Sequence, residues 1–358
     1  MDYYGTLGPA CLQEDILHRM VRAGMTGLRI NLSHGGLADH GDWIVLAHRV
    51  ASEEGKKLQI LIDLEGPELR SGILTKPLAM NAGEVIPVKD LSLPGQVCAD
   101  LSAGDRILLD DGKLELEIMG ATENGEPHGR VAGSAEMLAL VIRGGTLTSR
   151  KSVAVPGKSW DLPALTKHDR KNLALAPELG VTGVMLSFCR RASDIEQLKT
   201  ALWDIGYGHS EKEDSNDLRI FAKIENQEGA AHVRELAAAA DEIVIARGDL
   251  GNSLPLWELP RLQKQISRIC RETGTPFMVV TQMLDSMQKR AVPTRAEVMD
   301  IYQAVLDGAS SVMLTGETAA GDFPAEAMEY LVRTGKTAEE DRKNTLNVSE
   351  NKSCQKIQ

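Results

Sequence analysis

Two carboxylates and one lysine stand at the ends of apolar runs in the second half of the chain. Lys223 and Glu225 close the run at 219–225, and Asp249 follows the run at 242–246. Two carboxylates at neighbouring strand ends can share one hard cation, which predicts a Mg²⁺ or Mn²⁺ site; solvated surface acids are the alternative. Lys223 lies two residues before Glu225, on the same side of its strand. Its ammonium either neutralises a phosphate or enolate oxygen or forms a buried ion pair with Glu225 or Asp249.

A second oxygen-rich cluster lies earlier in the chain. Asn31 and Ser33 follow one apolar run, and Asp63 ends another. Three oxygen donors that carry one charge suit a weakly bound monovalent cation, although ordinary capping of a turn explains such residues on spacing alone. His34 also follows a strand end, where a lone histidine is more often a hydrogen-bonded structural residue than a site residue.

The elements that would position these residues alternate along the chain. Apolar runs without alternation predict eight strands buried on both faces, at 3–7, 27–32, 59–64, 183–188, 219–225, 242–246, 277–281 and 311–315. Amphipathic stretches predict eight helices, at 13–23, 46–54, 167–179, 193–202, 230–239, 259–273, 295–306 and 324–334. Eight strands that alternate with eight helices predict an α/β fold, a (β/α)₈ TIM barrel. The active site of such a barrel lies where the strands end and the following loops begin.

Two helix starts carry the pattern of a capping box. Ser193-x-x-Glu196 and Thr294-x-x-Glu297 each place a hydroxyl three residues before a glutamate. The capping box is taken as a full explanation of Thr294 and Glu297, which are therefore not candidate site residues.

One stretch interrupts the alternation of strands and helices. Residues 72–156 are rich in glycine and contain short alternating segments such as 106–109 and 114–118, with a turn signal at Asp110-Asp111-Gly112 between them. We predict a small all-β domain inserted after the third strand, which leaves residues 1–71 and 157–346 for the TIM barrel. The polar residues 347–358 are predicted to be a disordered tail.

The composition restricts the class of protein. The chain has 358 residues, 42% of them hydrophobic, with 51 acidic against 40 basic residues and a formal net charge of −11. The absence of a long Lys/Arg run argues against a nucleic-acid partner, and no stretch approaches 18 uncharged apolar residues, which argues against a membrane span. Five scattered cysteines without a Cys-x-x-Cys pair favour a reducing, cytoplasmic location over a disulfide framework or a zinc cluster.

A series of short motifs, taken in order, resembles the pyruvate kinase family. The motifs are TLGPA (6–10), LRINLSHG (28–35), GPELRSG (66–72), LDDG (109–112), LSF (186–188), KIENQEG (223–229), ARGDLG (246–251), TQMLDSM (281–287), PTRAE (293–297), AVLDGA (304–309) and GETAAGDFP (316–324). Each is weak alone, but this number in order across residues 5 to 335 is specific. The resemblance implies a lidded TIM barrel that transfers the phosphoryl group of phosphoenolpyruvate to ADP, giving pyruvate and ATP, with Mg²⁺ (or Mn²⁺) and K⁺.

The resemblance also implies roles for particular positions on the donor side. Lys223 would stabilise the transferring phosphoryl group and the enolate, Arg29 would clamp the phosphate, and Thr281 would lie where the enolate is protonated. The implied substrate contacts are Arg29, Thr281, Asp249 and the backbone N–H groups of Ala246, Arg247 and Gly248, which would hold the substrate carboxylate.

Metal and nucleotide positions follow from the same resemblance. The implied Mg²⁺ ligands are Glu225 and Asp249, and the implied K⁺ ligands are Asn31, Ser33, Asp63 and the carbonyl of Leu64, with Glu68 where K⁺-dependent members carry glutamate. The implied nucleotide-binding residues are Thr6, Pro9, Asn31, His34, Arg70 and Lys151. The matched motifs imply a short form without the family's C-terminal domain, hence without its effector site, and a monomer or two-fold homodimer.

Some positions depart from the usual pattern of the family, chiefly on the nucleotide side. Glu65 and Ala320 stand where lysines are usual, and Ser253 stands where a glutamate is common. The two lysine losses change the local charge by three units, each worth about 2 kcal/mol at about 8 Å and an effective dielectric constant of about 20. Three hypotheses stay open: a phosphotransferase that uses ADP, an enzyme of enolpyruvate chemistry that uses another acceptor or acts as a lyase, and a non-catalytic phosphometabolite-binding protein.

Overall fold

The computed structural model describes the backbone of residues 1–123, 126–128, 136–207 and 218–354. Within these ranges, the side chains of residues 34, 120–123, 126–128, 136 and 345–354 are outside the description.

The parallel strands of the largest sheet close into a barrel. In chain order they are β1 (Asp2–Thr6), β2 (Gly27–Asn31), β3 (Gln59–Asp63), then, after the insertion described below, β12 (Gly183–Leu186), β13 (Arg219–Ile224), β14 (Glu242–Ala246), β15 (Phe277–Val280) and β16 (Ser311–Leu314). The order around the barrel is β1-β16-β15-β14-β13-β12-β3-β2, closed by pairing of β2 with β1. The prediction of a (β/α)₈ TIM barrel is therefore confirmed.

Helices follow the barrel strands on the outside. They are α1 (Glu14–Ala23), α2 (Gly41–Glu53), then, beyond α3 in the insertion, α4 (Lys167–Leu175), α5 (Ala192–Asp204), α6 (Gln227–Ala231), α7 (Val233–Ala239), α8 (Arg247–Asn252), α9 (Leu259–Thr273), α10 (Arg295–Leu306), α11 (Gly316–Ala319) and α12 (Pro324–Cys354). The second predicted helix begins earlier, at Gly41, and the predicted helix at 230–239 is two helices, α6 and α7.

One of the two predicted capping boxes is correct. Thr294 caps α10, and its hydroxyl accepts the N–H of Glu297. The box at Ser193 is wrong, because α5 already begins at Ala192 and Asp194 accepts the backbone N–H groups of the two preceding arginines. Asp194 lies two residues closer to the start of the helix than Glu196, and its carboxylate satisfies free backbone donors at that end.

Two apolar layers hold the barrel together. Side chains that point inward from the strands, among them Tyr4, Phe221, Val244 and Met313, fill its interior. A larger cluster packs the outer faces of the strands against the helices. Strands covered on both sides read as continuous apolar runs, which is why the sequence locates them well.

An antiparallel β-structure lies between β3 and β12. Its strands are β4 (Leu78–Met80), β5 (Val85–Pro87), β6 (Arg106–Leu109), β7 (Leu114–Glu123), β8 (Glu126–His128), β9 (Glu136–Arg143), β10 (Gly145–Leu147) and β11 (Val153–Ala154), and it contains the short helix α3 (Gly95–Asp100). All lie within the predicted insertion 72–156, although α3 makes it not purely β. It has its own apolar core, which includes Leu91, Ile107, Leu116 and Val141.

The C-terminal helix α12 continues to Cys354. Residues 347–354, for which the sequence predicts disorder, are therefore helical in the structure, whereas residues 355–358 lie outside the described residues. Extending a helix that is already anchored adds one hydrogen bond per residue, so a polar stretch can follow a packed one. Among the described residues, no helix is long and apolar enough to cross a membrane.

Candidate active site

Lys223, in β13, is buried among oxygen atoms from three barrel strands and their ends. Its Nζ lies 3.0 and 3.1 Å from the two carboxylate oxygens of Asp63, 2.9 Å from Ser187 Oγ and 3.0 Å from Glu225 Oε1. Burial lowers the pKa of Lys223, but Asp63 and Glu225 outweigh it, and the pKa lies above its usual value. The lysine therefore forms the buried ion pair that was one of its two sequence interpretations, and it does so at the barrel mouth.

Asp63 joins Lys223 to Arg29. The Arg29 guanidinium lies 2.5 and 2.7 Å from Asp63 Oδ2, and Arg29 also donates to Thr6 Oγ1 at 3.2 Å. Burial raises the pKa of Asp63, but Lys223 and Arg29 reverse the effect, so the pKa is lowered and the group is ionised. Because Lys223 also pairs with Glu225, the two cations face two carboxylates, and these four groups carry no net charge.

Ser187 belongs to this network, but sequence reasoning gave it no role. Its hydroxyl accepts from Lys223 and lies 3.0 Å from Asp63 Oδ1 and 2.7 Å from the Leu64 carbonyl. The signal was available, because Ser187 directly follows β12 at the active edge of the barrel. A buried serine is common in cores, however, and only the contacts show that it orients the lysine.

Glu225 and Asp249, the predicted Mg²⁺ ligands, occupy neighbouring positions at the ends of β13 and β14. Glu225 Oε2 accepts the N–H of Phe188 at 2.7 Å, and its other oxygen faces Lys223. Burial, followed by the charge of Glu225, raises the pKa of Asp249 to about 8. Two carboxylates that repel each other in a buried place are relieved by a cation, and an all-oxygen set suits Mg²⁺ or Mn²⁺, so these residues fit the ion.

The residues assigned to K⁺ also offer only oxygen donors. Asn31 and Asp63 are register partners across β2 and β3, and Ser33 lies two residues further along the chain. Asn31 Oδ1 accepts the N–H of Ser33 at 3.2 Å, so the turn cap that was the alternative interpretation is present. The carbonyl of Leu64 accepts from Ser187. Asn31 Oδ1 and the Leu64 carbonyl each accept one described hydrogen bond and keep a lone pair, whereas the Asp63 oxygens already accept from Arg29, Lys223 and Ser187. The donor set consists of oxygens only, which suits a monovalent cation.

The loops that follow β14 and β15 are tied to each other. Thr281 has φ +70°, an unusual value for a β-branched residue. The Arg247 guanidinium donates to the Thr281 carbonyl at 2.9 and 3.2 Å and pairs with Asp300 at 2.6 Å. The N–H of Gly248, predicted to hold the substrate carboxylate with Ala246 and Arg247, donates to Thr281 Oγ1 at 2.8 Å. The side chain of Arg247 thus shapes the loop, a role that the sequence did not reveal.

Glu297 does more than the capping box predicted for it. Its carboxylate accepts both the N–H and the hydroxyl of Ser286, at 2.7 and 2.6 Å. Ser286 lies in the 3₁₀ turn that follows Thr281 along the chain. The statement that capping explains Glu297 fully is wrong, because this carboxylate also fixes the loop that carries Thr281.

The predicted nucleotide residues lie in different environments. Thr6 is buried, and its hydroxyl donates to the Leu314 carbonyl, whereas Pro9 is exposed. Arg70 pairs with Glu68 at 2.5 Å, and Lys151 pairs with Asp110 at 2.7 Å, each about one-third exposed. The side chain of His34 lies outside the described residues.

The positions that depart from the family pattern are accessible. Ala320 is exposed at the end of α11, and Glu65 is partly exposed beside Thr166, with Oε2 3.5 Å from the threonine hydroxyl. The backbone carbonyl of Ser253 accepts from the side chain of Gln227.

A cleft of about 380 Å³ separates the insertion from the barrel and contains the metal candidates. Glu68, Asp111, Glu225 and Asp249 contribute carboxylates, and Trp160 is among its apolar walls. Burial, together with the charges of Glu225 and Asp111, raises the pKa of Glu68, and Arg70 offsets this rise only in part. Acidic residues outnumber the two basic residues of the lining, Lys158 and Arg190, so the cleft suits a ligand that arrives with cations.

Outside this cleft, the described residues contain one group of three side chains with metal-ligand atoms close together, Glu14, His18 and Glu53 on α1 and α2. Arg49 already binds Glu14 through two bonds of 2.5 and 2.8 Å, and His18 lies between Glu53 and Glu54. This group is a surface ion-pair network and is unrelated to the predicted metal site.

Comparison with known proteins agrees with this arrangement. The family model "Pyruvate kinase, barrel domain" matches residues 2–328. Proteins named pyruvate kinase are 36% identical over 346 residues in Sporosarcina psychrophila and 37% over 337 residues in Geobacillus stearothermophilus. These alignments cover 93% and 91% of this chain but 56% and 54% of those proteins, so the chain spans about half their length. One from Aeropyrum pernix is 36% identical over 340 residues, covering 93% of this chain and 69% of that protein. The chain belongs to the pyruvate kinase family.

Proposed function

We propose that this chain is a phosphotransferase that moves the phosphoryl group of phosphoenolpyruvate to ADP, with Mg²⁺ (or Mn²⁺) and K⁺. The observation that carries the proposal is the buried set in which Asp63 and Ser187 hold the Lys223 ammonium beside Arg29. Phosphoryl transfer uses a fixed ammonium of this kind, because charge develops on the transferring oxygens and on the enolate in the transition state.

The charge balance of the site supports a metal requirement. Lys223 and Arg29 face three carboxylates, those of Asp63, Glu225 and Asp249, so the five groups sum to −1 when all are ionised. A phosphorylated carboxylate is a polyanion and needs further positive charge to enter. Held by Glu225 and Asp249, a divalent cation would supply positive charge to the phosphoryl and enolate oxygens. The oxygen donors Asn31, Ser33, Asp63 and the Leu64 carbonyl would hold K⁺.

The proposed reaction breaks one bond and forms two, and side chains of this chain assist each change. The bond between the enol oxygen and phosphorus breaks, a β-phosphate oxygen of ADP bonds to phosphorus, and the enolate takes up one proton at its methylene carbon. Lys223 and Arg29 stabilise the phosphoryl oxygens. Thr281 lies on the loop assigned to the protonation step, and its hydroxyl donates to the Val280 carbonyl at 2.6 Å. That hydroxyl must rotate before it can donate towards substrate.

A different acceptor is the second candidate function. Arg70 and Lys151, assigned to the nucleotide, are neutralised by Glu68 and Asp110, and Glu65 and Ala320 replace two usual lysines. An acceptor with less negative charge than ADP would suit this side better. The chemistry at Lys223 would be unchanged.

One assay separates these functions. Pyruvate formation from phosphoenolpyruvate is measured with Mg²⁺ and K⁺, with and without ADP, for the wild type and for Lys223→Met. The matched control is Lys199→Met, which removes an exposed lysine of α5. ADP-dependent pyruvate that is lost only in Lys223→Met supports the proposal. Turnover that is independent of ADP favours the second function, and metal-dependent binding without turnover favours a binding protein.

Location and assembly are proposals of the same kind. The cysteines described by the structure, at positions 11, 98, 189 and 270, are free thiols, which supports a reducing cytoplasm. We propose a monomer or homodimer, which light scattering would test.

A further inference from the structure

Asp169, near the start of α4, is a fully buried carboxylate that accepts four hydrogen bonds. Its Oδ1 accepts the N–H of Glu65 at 2.8 Å, and its Oδ2 accepts the N–H of Gly66 at 3.1 Å. Oδ2 also accepts the N–H and the hydroxyl of Thr166, at 2.9 and 3.0 Å. The first pair of donors precedes the insertion and the second follows it, separated by about a hundred residues of chain.

The same two stretches of chain run side by side into the insertion. Arg70 forms a β-bridge with Ser152, and the N–H of Ser71 donates to the Lys151 carbonyl at 2.8 Å. The N–H of Val153 donates to the Leu69 carbonyl at 2.8 Å. The two connections thus form one paired stem, with Asp169 at its base on the barrel side.

The base of this stem touches the reaction centre. Gly66 has φ +63°, and a Cβ there would lie 2.9 Å from the Ser187 carbonyl, so the turn fits tightly against Ser187. Ser187 orients Lys223, and Glu68, two residues after Gly66, lines the cleft. A shift of the turn at Gly66 would therefore move groups on both walls of the cleft.

The inner face of α4 fixes a second active-edge loop as well. Asn172, three residues after Asp169 and nearly buried, accepts the N–H of Leu37 at 2.8 Å. Leu37 follows the segment that contains Asn31 and Ser33. Two polar side chains on one turn of α4 thus bind backbone donors of the loops after β2 and β3, which ordinary helix capping does not require.

We propose that Asp169 is a positioning residue, which fixes the base of the stem and thereby the placement of the insertion and of Glu68 and Arg70 over the barrel mouth. Its effect on catalysis rests on the proposed function; its effect on the stem does not. A carboxylate is needed because both of its oxygens act as acceptors, and an amide would present its NH₂ group to at least one set of these donors.

The test compares Asp169→Asn with Thr166→Ala in the whole chain. Asp169→Asn keeps the shape of the side chain but loses acceptors for the stem. Thr166→Ala removes the helix-cap hydroxyl and leaves the carboxylate bonded to Glu65 and Gly66. Amide hydrogen exchange of residues 65–72 and 150–153 is measured without ligands. Asp169→Asn should exchange roughly 10- to 100-fold faster there, as expected for lost bonds to a charged acceptor, and Thr166→Ala should not.

Kinetics supply the second readout. In Asp169→Asn the kcat should fall at least about tenfold and the KM for ADP should rise, because Glu68 and Arg70 lie on the stem. The KM for phosphoenolpyruvate should stay within about twofold, because Arg29 and Lys223 lie on barrel strands. Thr166→Ala should change neither constant by more than about twofold.

Each outcome decides one point. Unchanged exchange in Asp169→Asn overturns the proposal whatever the activity, and faster exchange with unchanged kinetics makes Asp169 merely structural and overturns it too. A wild type without turnover refutes the proposed function alone, since exchange still tests the stem. If Asp169→Asn does not fold, amide exchange in the wild type tests the proposal. The Gly66 amide should be as protected as that of Leu64, and exchange of Gly66 as fast as that of exposed Lys76 would overturn the proposal.

Discussion

Replacing Lys223 by methionine should destabilise the protein as well as inactivate it. The structure buries the ammonium within 3.0 Å of both Asp63 and Glu225, with about 10% of the side chain exposed. Without the lysine, Asp63 keeps Arg29, whereas Glu225 keeps only the Phe188 N–H among its described partners. Removing one partner of a buried charge pair costs about 3–5 kcal/mol, so Lys223→Met should lose that much unfolding free energy.

A second substitution tests whether the unpaired charge causes the loss. Adding Glu225→Gln to Lys223→Met removes the uncompensated carboxylate and should recover about 1–3 kcal/mol, the usual range of coupling for contacting residues. Urea unfolding followed by circular dichroism in metal-free buffer measures both values. The reasoning is refuted if Lys223→Met lies within about 1 kcal/mol of the wild type, or if the double variant is no more stable than the single one.

Three further predictions concern the metal, the acceptor and pH. Asp249→Asn should abolish metal-dependent binding of phosphoenolpyruvate in calorimetry, whereas Asp204→Asn, on the exposed face of α5, should bind like the wild type; equal binding by both would remove Asp249 from the site. If ADP is the acceptor, the double change Glu65→Lys and Ala320→Lys should lower its KM, less so at high salt, and leave the KM for phosphoenolpyruvate nearly unchanged. No gain for ADP would mark the two positions as neutral. Burial raises the pKa of Glu297, but hydrogen bonds from Ser286 and Thr294 more than reverse this, so its folded pKa lies below the unfolded value of 4.5. Its stabilisation is thus complete above about pH 5 and lost as pH falls through the folded pKa. Glu297→Gln should cost about 1 kcal/mol at pH 7 and progressively less below pH 4.5, and a cost independent of pH would contradict the assignment.

The barrel could be predicted from the sequence because its strands are buried on both faces. Most strand cores, such as Phe277–Val280, read as uninterrupted apolar runs, and β2 and β13 contain one internal charge each, Arg29 and Lys223. The ends of helices were harder to place. The acid that caps α5 is Asp194, two residues before the expected Glu196, and the helix begins at Ala192. The polar continuation of α12 gave no local signal, since it is helical by extension from an anchored segment.

The candidate site was predictable in its members more than in its contacts. Lys223, Glu225 and Asp249 were found because charged residues stand near or just after the ends of apolar strands at the active edge of the barrel. Ser187 and Asp169 were missed, because each acts through partners that are distant in the chain, 36 and 124 residues away for Ser187 and 104 residues away for Asp169. A short polar residue after a strand or at a helix start has an ordinary local explanation, and only the folded chain shows that explanation to be incomplete.

The two sides of the cleft treat positive charge differently, and this difference bears on the choice of acceptor. On the donor side, Lys223 and Arg29 lie buried together around Asp63, and a divalent cation held by Glu225 and Asp249 would turn the net charge of these five groups from −1 to positive. On the acceptor side, Arg70 and Lys151 each have a carboxylate of their own. Both lie on the stem whose base Asp169 holds. A polyphosphate can therefore gain their charge only by competing with the protein's own acids, or by arriving with a cation that the acids attract. Affinity for the acceptor should thus depend steeply on the concentration of free divalent cation. Affinity for the enolpyruvate should depend only weakly on the residues of the stem.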